Sequence, residues 1–467
     1  MARNVPERIL YFGFRRPLNQ QALQQALQAS RPERVGLVSR SNFLDGVADQ
    51  FLLAKDGFRG LGFESNPHRA FPSASFLKAM QRHEVVALRM YERAFRGVDD
   101  GQNYEVRKRL YMAQLVWAHG LLVDGGWTKL VLSEIPHHPF AYILHASARE
   151  LGIDARFLQQ LQVKDSFLVA GSVEGMFDPI RAAHARIVRS AEPVALEPRI
   201  SRERERRLGR HQPFYMGVTD LPWRGKAYQW AKRNLRADDW LRVRRAFRNG
   251  WAYWRARKDL ESMEEPFVYF PLHLQPEATT SPMGGVFVDQ YLAVEVLARA
   301  VPSGWKVVVK ENPAQRFAKR DYGFYEHLGR LPNIRLVSRS ADTFNLIEKC
   351  AAVATITGTA GWEALFKGKP VLVFGNAFYR GAPGTVDAGE PDELASAMRK
   401  IDAGTFRACS VDELDQWLAA IQSCTREGVV DTQYLRDSDL SFDECVARLR
   451  DVLIELMEAQ ISNDPVG

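Results

Sequence analysis

The stretch ATITGTAGWEALFKGKPVLVFGNAFY, residues 354–379, decides how the rest of the chain is read. Its order is a strand, a turn rich in Gly and Thr, a helix carrying one acid, and a second strand ending in polar and aromatic residues. A βαβ unit of this kind builds a parallel sheet. The turn Thr357-Gly358-Thr359-Ala360-Gly361 holds more hydroxyls and glycine than a sheet connection requires. Such a turn leads into a helix N-terminus, whose N–H groups and dipole favour an anion such as phosphate. Glu363 follows Gly358 by five residues, where it can accept ribose hydroxyls or simply stabilise the dipole of its own helix.

The same alternation extends outward in both directions. Upstream in the second half come EPFVYFPLHLQPE, a helix at DQYLAVEVLARAVP, a strand in WKVVVKENP and another at NIRLV. The strands are valine-rich and continuous, as expected when both faces of a sheet are covered. The first third repeats the pattern with RILYFGF, NQQALQQALQAS and RVGLVS, then TKLVLS, a helix ending near Gly152 as its C′ residue, and DSFLVAG. At 467 residues the chain exceeds one ordinary core. The expected fold class is α/β, with two Rossmann-like domains facing a cleft. The expected division is an N-terminal Rossmann-like domain over 1–190, a basic aromatic-rich helical connector over 191–262, a C-terminal Rossmann-like domain over 263–400, and C-terminal helices over 401–467.

Composition narrows the function. Hydrophobic residues make up 46% and charged residues 25%, a globular balance. No apolar run reaches the roughly 18–20 residues of a membrane span, and the six-residue run near the N-terminus is cut by two arginines, so a cytoplasmic chain is expected. The four cysteines form no CxxC pair, and Cys350 reads as a small buried hydrophobe. A dinucleotide GxGxxG is absent, since RGLGFES at 59–65 lacks the third glycine. Asp437-Ser438-Asp439 reads as the cap region of the last helix rather than a metal-diphosphate clamp. His137 and His138, being adjacent, could not share a helix face, so no metal site is expected.

Charge is uneven. Between Arg199 and Lys258 there are 18 Lys+Arg against 5 Asp+Glu, a local +13 in a chain of net +7. Trp223, Tyr228, Trp230, Trp240, Phe247, Trp251, Tyr253 and Trp254 are interleaved with them. The pattern fits an anionic membrane surface, or a solvated helical insertion whose aromatics pack on the domains. No nucleic-acid motif accompanies it, and no nucleic-acid partner is expected.

Three strand-end loops carry the binding chemistry. They are PLHLQPEATTSPMGG at 271–285, with Gln275 and Glu277; KENPAQR at 310–316, with Lys310, Asn312 and Arg316; and the turn bearing Thr357, Gly358 and Thr359. At C-terminal strand ends these would line one side of a cleft and offer cations, backbone donors and Glu363 to a nucleotide sugar. After the strand KLVLS, Glu134, His137 and His138 lie where a general base could sit; the alternative is a loop that caps the following helix.

The runs QPEATTSPMGGVFVDQ, VVVKENPAQ and TITGTAGWEALFKGKPVLVFGNAFY resemble the capsular polysaccharide biosynthesis family of bacteria, which includes capsule Kdo transferases. The resemblance spans roughly 265–380 and extends to EIPHHPFAYILHASARELGI at 134–153. It implies a GT-B glycosyltransferase with a nucleotide-activated donor, commonly CMP-linked, a glycan or glycolipid acceptor, and no obligatory metal or other cofactor. One departure stands out: the family often has Lys-x-His-Pro where this chain has Lys310-Glu311-Asn312-Pro313, which leaves the donor open. A nucleotide-sugar epimerase of the same fold, or a non-catalytic assembly or export protein, are the alternatives.

Overall fold

The computed structural model describes residues 7–53, 67–94, 104–190, 193–209, 240–257 and 264–459. The chain forms two compact units: residues 1–176 with 424–467, and residues 177–423. Each is a Rossmann-like α/β unit, the α/β class expected.

In the first unit the strands are β1 (Arg8–Phe12), β2 (Arg34–Ser39), β3 (Gln50–Leu53), β4 (Lys129–Leu132), β5 (Asp154–Gln160) and β6 (Ser166–Ala170), with β13 (Arg426–Glu427) returning from the far end of the chain. Their spatial order is β13-β6-β5-β4-β1-β2-β3. β1 to β5 pair in parallel, while β6 and β13 run antiparallel to their neighbours. The helices are α1 (Pro17–Ala29), α2 (Ala74–Ala94), α3 (Tyr104–Gly125) and α4 (Pro139–Glu150). Gly152 takes φ +74° directly after the C-cap Leu151 of α4, the left-handed stop that glycine supplies without a Cβ penalty.

The second unit opens with α5 (Asp178–Ser190), α6 (Pro198–Leu208) and α7 (Trp240–Ala256). Its strands are β7 (Phe267–Pro271), β8 (Lys306–Lys310), β9 (Ile334–Val337), β10 (Ala352–Thr355), β11 (Val371–Val373) and β12 (Thr385–Asp387). They form a fully parallel sheet in the order β12-β11-β10-β7-β8-β9. Between them lie α8 (Gln290–Ala300), α9 (Phe324–Leu328), α10 (Thr343–Lys349) and α11 (Thr359–Leu365), and after them α12 (Pro391–Asp402) and α13 (Val411–Cys424). The valine run of β8 is buried on both faces, which is why it shows no alternation. Cys350 is buried beside this core, and burial pushes its thiol up to about 12, so it behaves as an apolar filler.

Both sheets reverse winding at their centre, between β1 and β4 in one and between β7 and β10 in the other. Loops that leave the carboxyl ends of those four strands therefore diverge to opposite faces and leave a crevice.

The last helix, α14 (Phe442–Glu458), belongs to the first unit. Its buried face, Cys445, Val446, Leu449, Val452 and Leu453, packs with Leu18, Ala22, Leu23 and Ala26 of α1 in one core. The spacing is that of an amphipathic helix. Ser441 caps it, in a reciprocal box with Glu444, so Asp437-Ser438-Asp439 lies just before the cap. Lys129 of β4, wholly buried, donates to the carbonyls of Leu456 at 2.6 Å and Ala459 at 3.0 Å and so closes the helix C-terminus. Within residues 191–262 the described helices are α6 and α7. Trp223, Tyr228 and Trp230 of the basic block lie outside the described residues.

Candidate functional site

The three loops singled out in the second half gather at one edge of the second sheet and are stitched to one another. Gln275 N–H donates to Gln315 Oε1 at 2.7 Å, and Gln315 Nε2 returns a bond to Gln275 O at 3.2 Å. Thr357 N–H donates to His273 Nε2 at 3.1 Å, and Thr357 Oγ1 donates to Thr279 O at 2.7 Å. The loop after β11 joins them, with Asn376 N–H donating to Met283 O at 2.8 Å and Tyr379 OH donating to Gly358 O. The β7 and β10 loops are the pair at the switch point, so the sheet topology alone brings them together.

Beneath the loops lies an ion pair that sequence reading passed over. Arg320 and Glu311 are fully buried, with Nη2 2.7 Å from Oε1 and Nε 2.8 Å from Oε2. Arg320 also donates to Gln275 Oε1 and to His273 O, each at 2.8 Å, while Tyr325 OH donates to Glu311 Oε2 at 2.5 Å. Burial works against the guanidinium's charge, but Glu311 outweighs it and holds Arg320 above its ordinary range. A bidentate pair with its remaining positions hydrogen-bonded is the form in which buried charge is tolerated. His273 sits in this network with its proton on Nδ1, since Nε2 accepts from Thr357. Burial first, and Arg320 second, push its pKa down to about 3, so it is neutral.

The individual candidates fall into two groups. Lys310 is buried and donates to Thr343 Oγ1 at 2.6 Å; burial lowers its pKa, Asp342 opposing. Thr357, Thr359 and Glu363 are buried as well. Gly358 is partly buried, and a Cβ there would lie 2.9 Å from Thr355 Oγ1, so a larger residue would force that side chain to shift. The Gly358 amide donates to Thr355 Oγ1 at 3.1 Å. Those of Thr357 and Gly358 are therefore engaged within the fold. By contrast Arg316 is exposed, and Asn312, Gln275 and Glu277 are half-buried. Asn312 Oδ1 accepts from Ala314 N–H at 2.9 Å, which fixes the turn at that point.

Glu363 carries a partner that the sequence did not suggest. Arg207 of α6 donates to its Oε1 at 3.2 Å, and Arg207 Nε lies 2.6 Å from Glu203 Oε1. Trp362 Nε1 donates to the same Glu203 oxygen at 3.3 Å. Burial raises Glu363 to about 7, the Arg207 charge pulling the other way.

In the first unit, the loop after β4 holds Glu134, His137 and His138 at the corresponding switch point. Adjacency does not separate the two histidines, because 133–138 is a loop and not a helix. Their ring centroids lie 4.2 Å apart. One ligand atom from each of Glu134, His137 and His138 lies within 4.8 Å of the others, a set that can hold a cation. Arg15 at the end of β1, however, puts Nη2 2.5 Å from Glu134 Oε1, a positive charge that opposes one. The Glu134 side chain is 33% exposed. Burial favours its neutral form, but His137, Arg15 and Arg16 together hold the carboxyl below its ordinary range. His137 Nδ1 bonds Ile135 O at 2.9 Å, which places the ring proton on Nδ1 and the acceptor lone pair on Nε2. Ser133 supports the loop, accepting from Phe14 N–H at 2.9 Å where Gly13 and Phe14 both take positive φ.

Among known proteins, no curated relative matches this chain. Solved structures that resemble it include the beta Kdo 2,7 transferase of Thermosulfurimonas dismutans KpsC, at 10% identity and TM-score 0.33, covering 96% of this chain and 100% of that one. The beta Kdo 2,4 transferase of the same protein pairs at 14% identity and TM-score 0.31, covering 70% and 88%. An S. aureus MnaA–UDP structure pairs at 10% identity and TM-score 0.28, covering 89% and 94%. At such scores these likenesses carry no weight for activity. The family comparison is of a different kind: residues 258–422, which contain all three stitched loops, match the model described as capsule polysaccharide biosynthesis protein. Over that stretch, which is less than half of the chain, the sequence is similar to the capsule polysaccharide biosynthesis protein family.

Proposed function

We propose that the protein is a glycosyltransferase of capsule or surface polysaccharide assembly, taking its sugar from a nucleotide-activated, CMP- or UDP-linked donor without a divalent metal. The observation that carries the reading is the stitching of the β8 and β10 loops to the β7 loop, beside one switch point and within the family segment. Arg316 and Asn312 serve the phosphate, Glu363 the ribose, and Gln275 and Glu277 the sugar, while Lys310, Thr357, Gly358 and Thr359 shape the floor on which the donor rests. In the reaction an acceptor hydroxyl gives its proton to a base and its oxygen bonds the anomeric carbon. The bond from that carbon to the phosphate oxygen breaks, and the nucleotide leaves with the electron pair. Negative charge grows on the leaving phosphate and needs fixed donors. In the first unit Glu134, His137 and His138 supply the base.

The acceptor is a glycan or glycolipid. The basic segment 199–258 supports an anionic membrane surface on the cytoplasmic side as the place where a lipid-linked acceptor is met. Among the described residues no helix is long and apolar enough to cross a membrane.

The test is incubation of purified protein with CMP- and UDP-sugars, with and without a soluble oligosaccharide acceptor, in EDTA. Acceptor-dependent release of nucleotide with a lengthened oligosaccharide is the expected result. A changed sugar released without acceptor would make the protein an epimerase. No turnover and no nucleotide binding would leave an assembly protein.

A further inference from the structure

Helix α7 has two unlike faces. One is fastened to the second unit: Asn249, Ala252 and Tyr253 are buried, Asn249 Nδ2 donates to Phe317 O at 2.9 Å, and Tyr253 OH donates to Val337 O at 3.0 Å. The other turns three large aromatics outward, with Phe247 77%, Trp251 51% and Trp254 67% exposed. They stand at i, i+4 and i+7, so they form one stripe. Arg244 and Arg255 are exposed beside it, and the Arg255 guanidinium lies 4.6 Å from the centre of the Trp251 ring. Arg248 flanks the stripe too, although its charge is matched by Glu326 at 2.7 and 2.8 Å. At about 100° per residue, stripe and arginines share a sector of roughly 120°. Single exposed apolar residues need no explanation, but three contiguous aromatics on one helix face mark a contact surface.

We propose that this outward face of α7 docks into an anionic phospholipid surface. The inference rests on the membrane reading given above and names the element that makes the contact. Residues 240–257 contain six arginines and no Asp or Glu, so the face is complementary to phosphatidylglycerol-type headgroups and to little that is positive. The apolar stripe and the flanking cations are segregated side by side, the order selected at the boundary between headgroups and acyl chains. The rings protrude from a helix flank, which suits insertion between headgroups rather than enclosure of a small ligand. Tyr322, 52% exposed and stacked 4.3 Å under the Arg248 guanidinium, extends the same surface.

The experiment is flotation of the full chain with vesicles of 30% phosphatidylglycerol in phosphatidylcholine, against pure phosphatidylcholine. The triple variant Phe247→Ser, Trp251→Ser, Trp254→Ser removes the stripe from exposed positions, and circular dichroism checks its fold. The pair Arg244→Gln, Arg255→Gln removes two charges, with the Arg255 contact on Trp251, and leaves the three aromatics in place. The wild type is expected to float only with anionic vesicles. The triple variant should lose at least tenfold in partitioning. The arginine pair should lose roughly 30-fold at low salt, with less difference at 0.5 M salt. Flotation that the triple variant retains overturns the role of α7 alone, leaving the basic segment as the contact. A wild type that never floats overturns the membrane reading altogether. A wild-type dimer that the triple variant converts to monomer, without flotation in either, overturns the proposal in favour of a second copy on this face. None of these outcomes touches glycosyl transfer, which is assayed on a soluble acceptor.

Discussion

Arg207 bridges Glu203 and Glu363, with Nε 2.6 Å from one carboxylate and Nη1 3.2 Å from the other, so a single guanidinium serves two buried acids. Because burial raises Glu363 to about 7 from an ordinary value near 4.5, the folded chain holds that proton more tightly than the unfolded one. Its contribution to stability is therefore full below pH about 4.5 and is lost as pH rises through about 7. Glu363→Gln removes the titration, so the variant should gain stability relative to the parent between pH 5 and pH 8. Denaturant midpoints at the two pH values measure this, and a difference that does not move with pH would refute it. If the acid also takes ribose hydroxyls, the same variant loses roughly 1–3 kcal/mol in nucleotide binding by calorimetry. Unchanged affinity would confine Glu363 to holding α6.

The Glu311–Arg320 pair should be far less forgiving. Arg320→Met leaves Glu311 buried without its cation, a change that costs about 3–5 kcal/mol in stability. It also frees Gln275 and the His273 carbonyl, so nucleotide affinity should fall in whatever population remains folded. The double variant Glu311→Gln, Arg320→Met should be more stable than Arg320→Met alone. If it is less stable, the damage lies in lost packing and not in the stranded charge.

In the first unit the prediction concerns pH and rate. Arg15→Gln removes one of the charges that hold the Glu134 carboxyl down, so its pKa should rise and the acid limb of kcat/KM should move to higher pH. His137→Ala should lower turnover about 10²–10⁴-fold with nucleotide affinity nearly intact if its Nε2 is the base. Normal turnover in both His137→Ala and Glu134→Gln would place the base elsewhere.

Nucleotide binding should survive metal removal. Calorimetric titration with CMP and UDP in EDTA is expected to match that in Mg²⁺. Strict dependence on Mg²⁺ or Mn²⁺ would refute the metal-free reading, and a zinc-dependent gain would direct attention to Glu134, His137 and His138.

Much of the fold was legible because it is local. The buried run of β8 and the glycine stop after α4 announce themselves by composition within a few residues. The three loops were also legible, since each follows a strand that reads plainly. What holds them together was not. Arg320 and Arg207 look in sequence like ordinary members of charged stretches, and only the folded chain sets Arg207 beside Glu363, 156 residues away. His273 was hidden in another way: flanked by leucines after an apolar strand, it reads as a core residue, which by burial it is. The one signal within reach was Glu311, an acid at the buried end of an apolar strand, which requires a cation somewhere. Adjacency in sequence says nothing about how the loop histidines lie, because residues 133–138 are not helical and the two rings come within 4.2 Å.

The return of β13 and α14 to the first unit has a consequence for biosynthesis. As the chain leaves the ribosome, the first sheet and α1 emerge early, but the helix that covers Leu18, Leu23 and Ala26 is encoded only after the whole of the second unit. Residues 177–423 are contiguous and can fold while still being made. At about 5–20 residues per second, synthesis of those 247 residues takes roughly 12–50 s. For that interval the apolar face of α1 is uncovered, so the nascent first unit is a natural client for a chaperone, and its maturation is timed by translation of the other half.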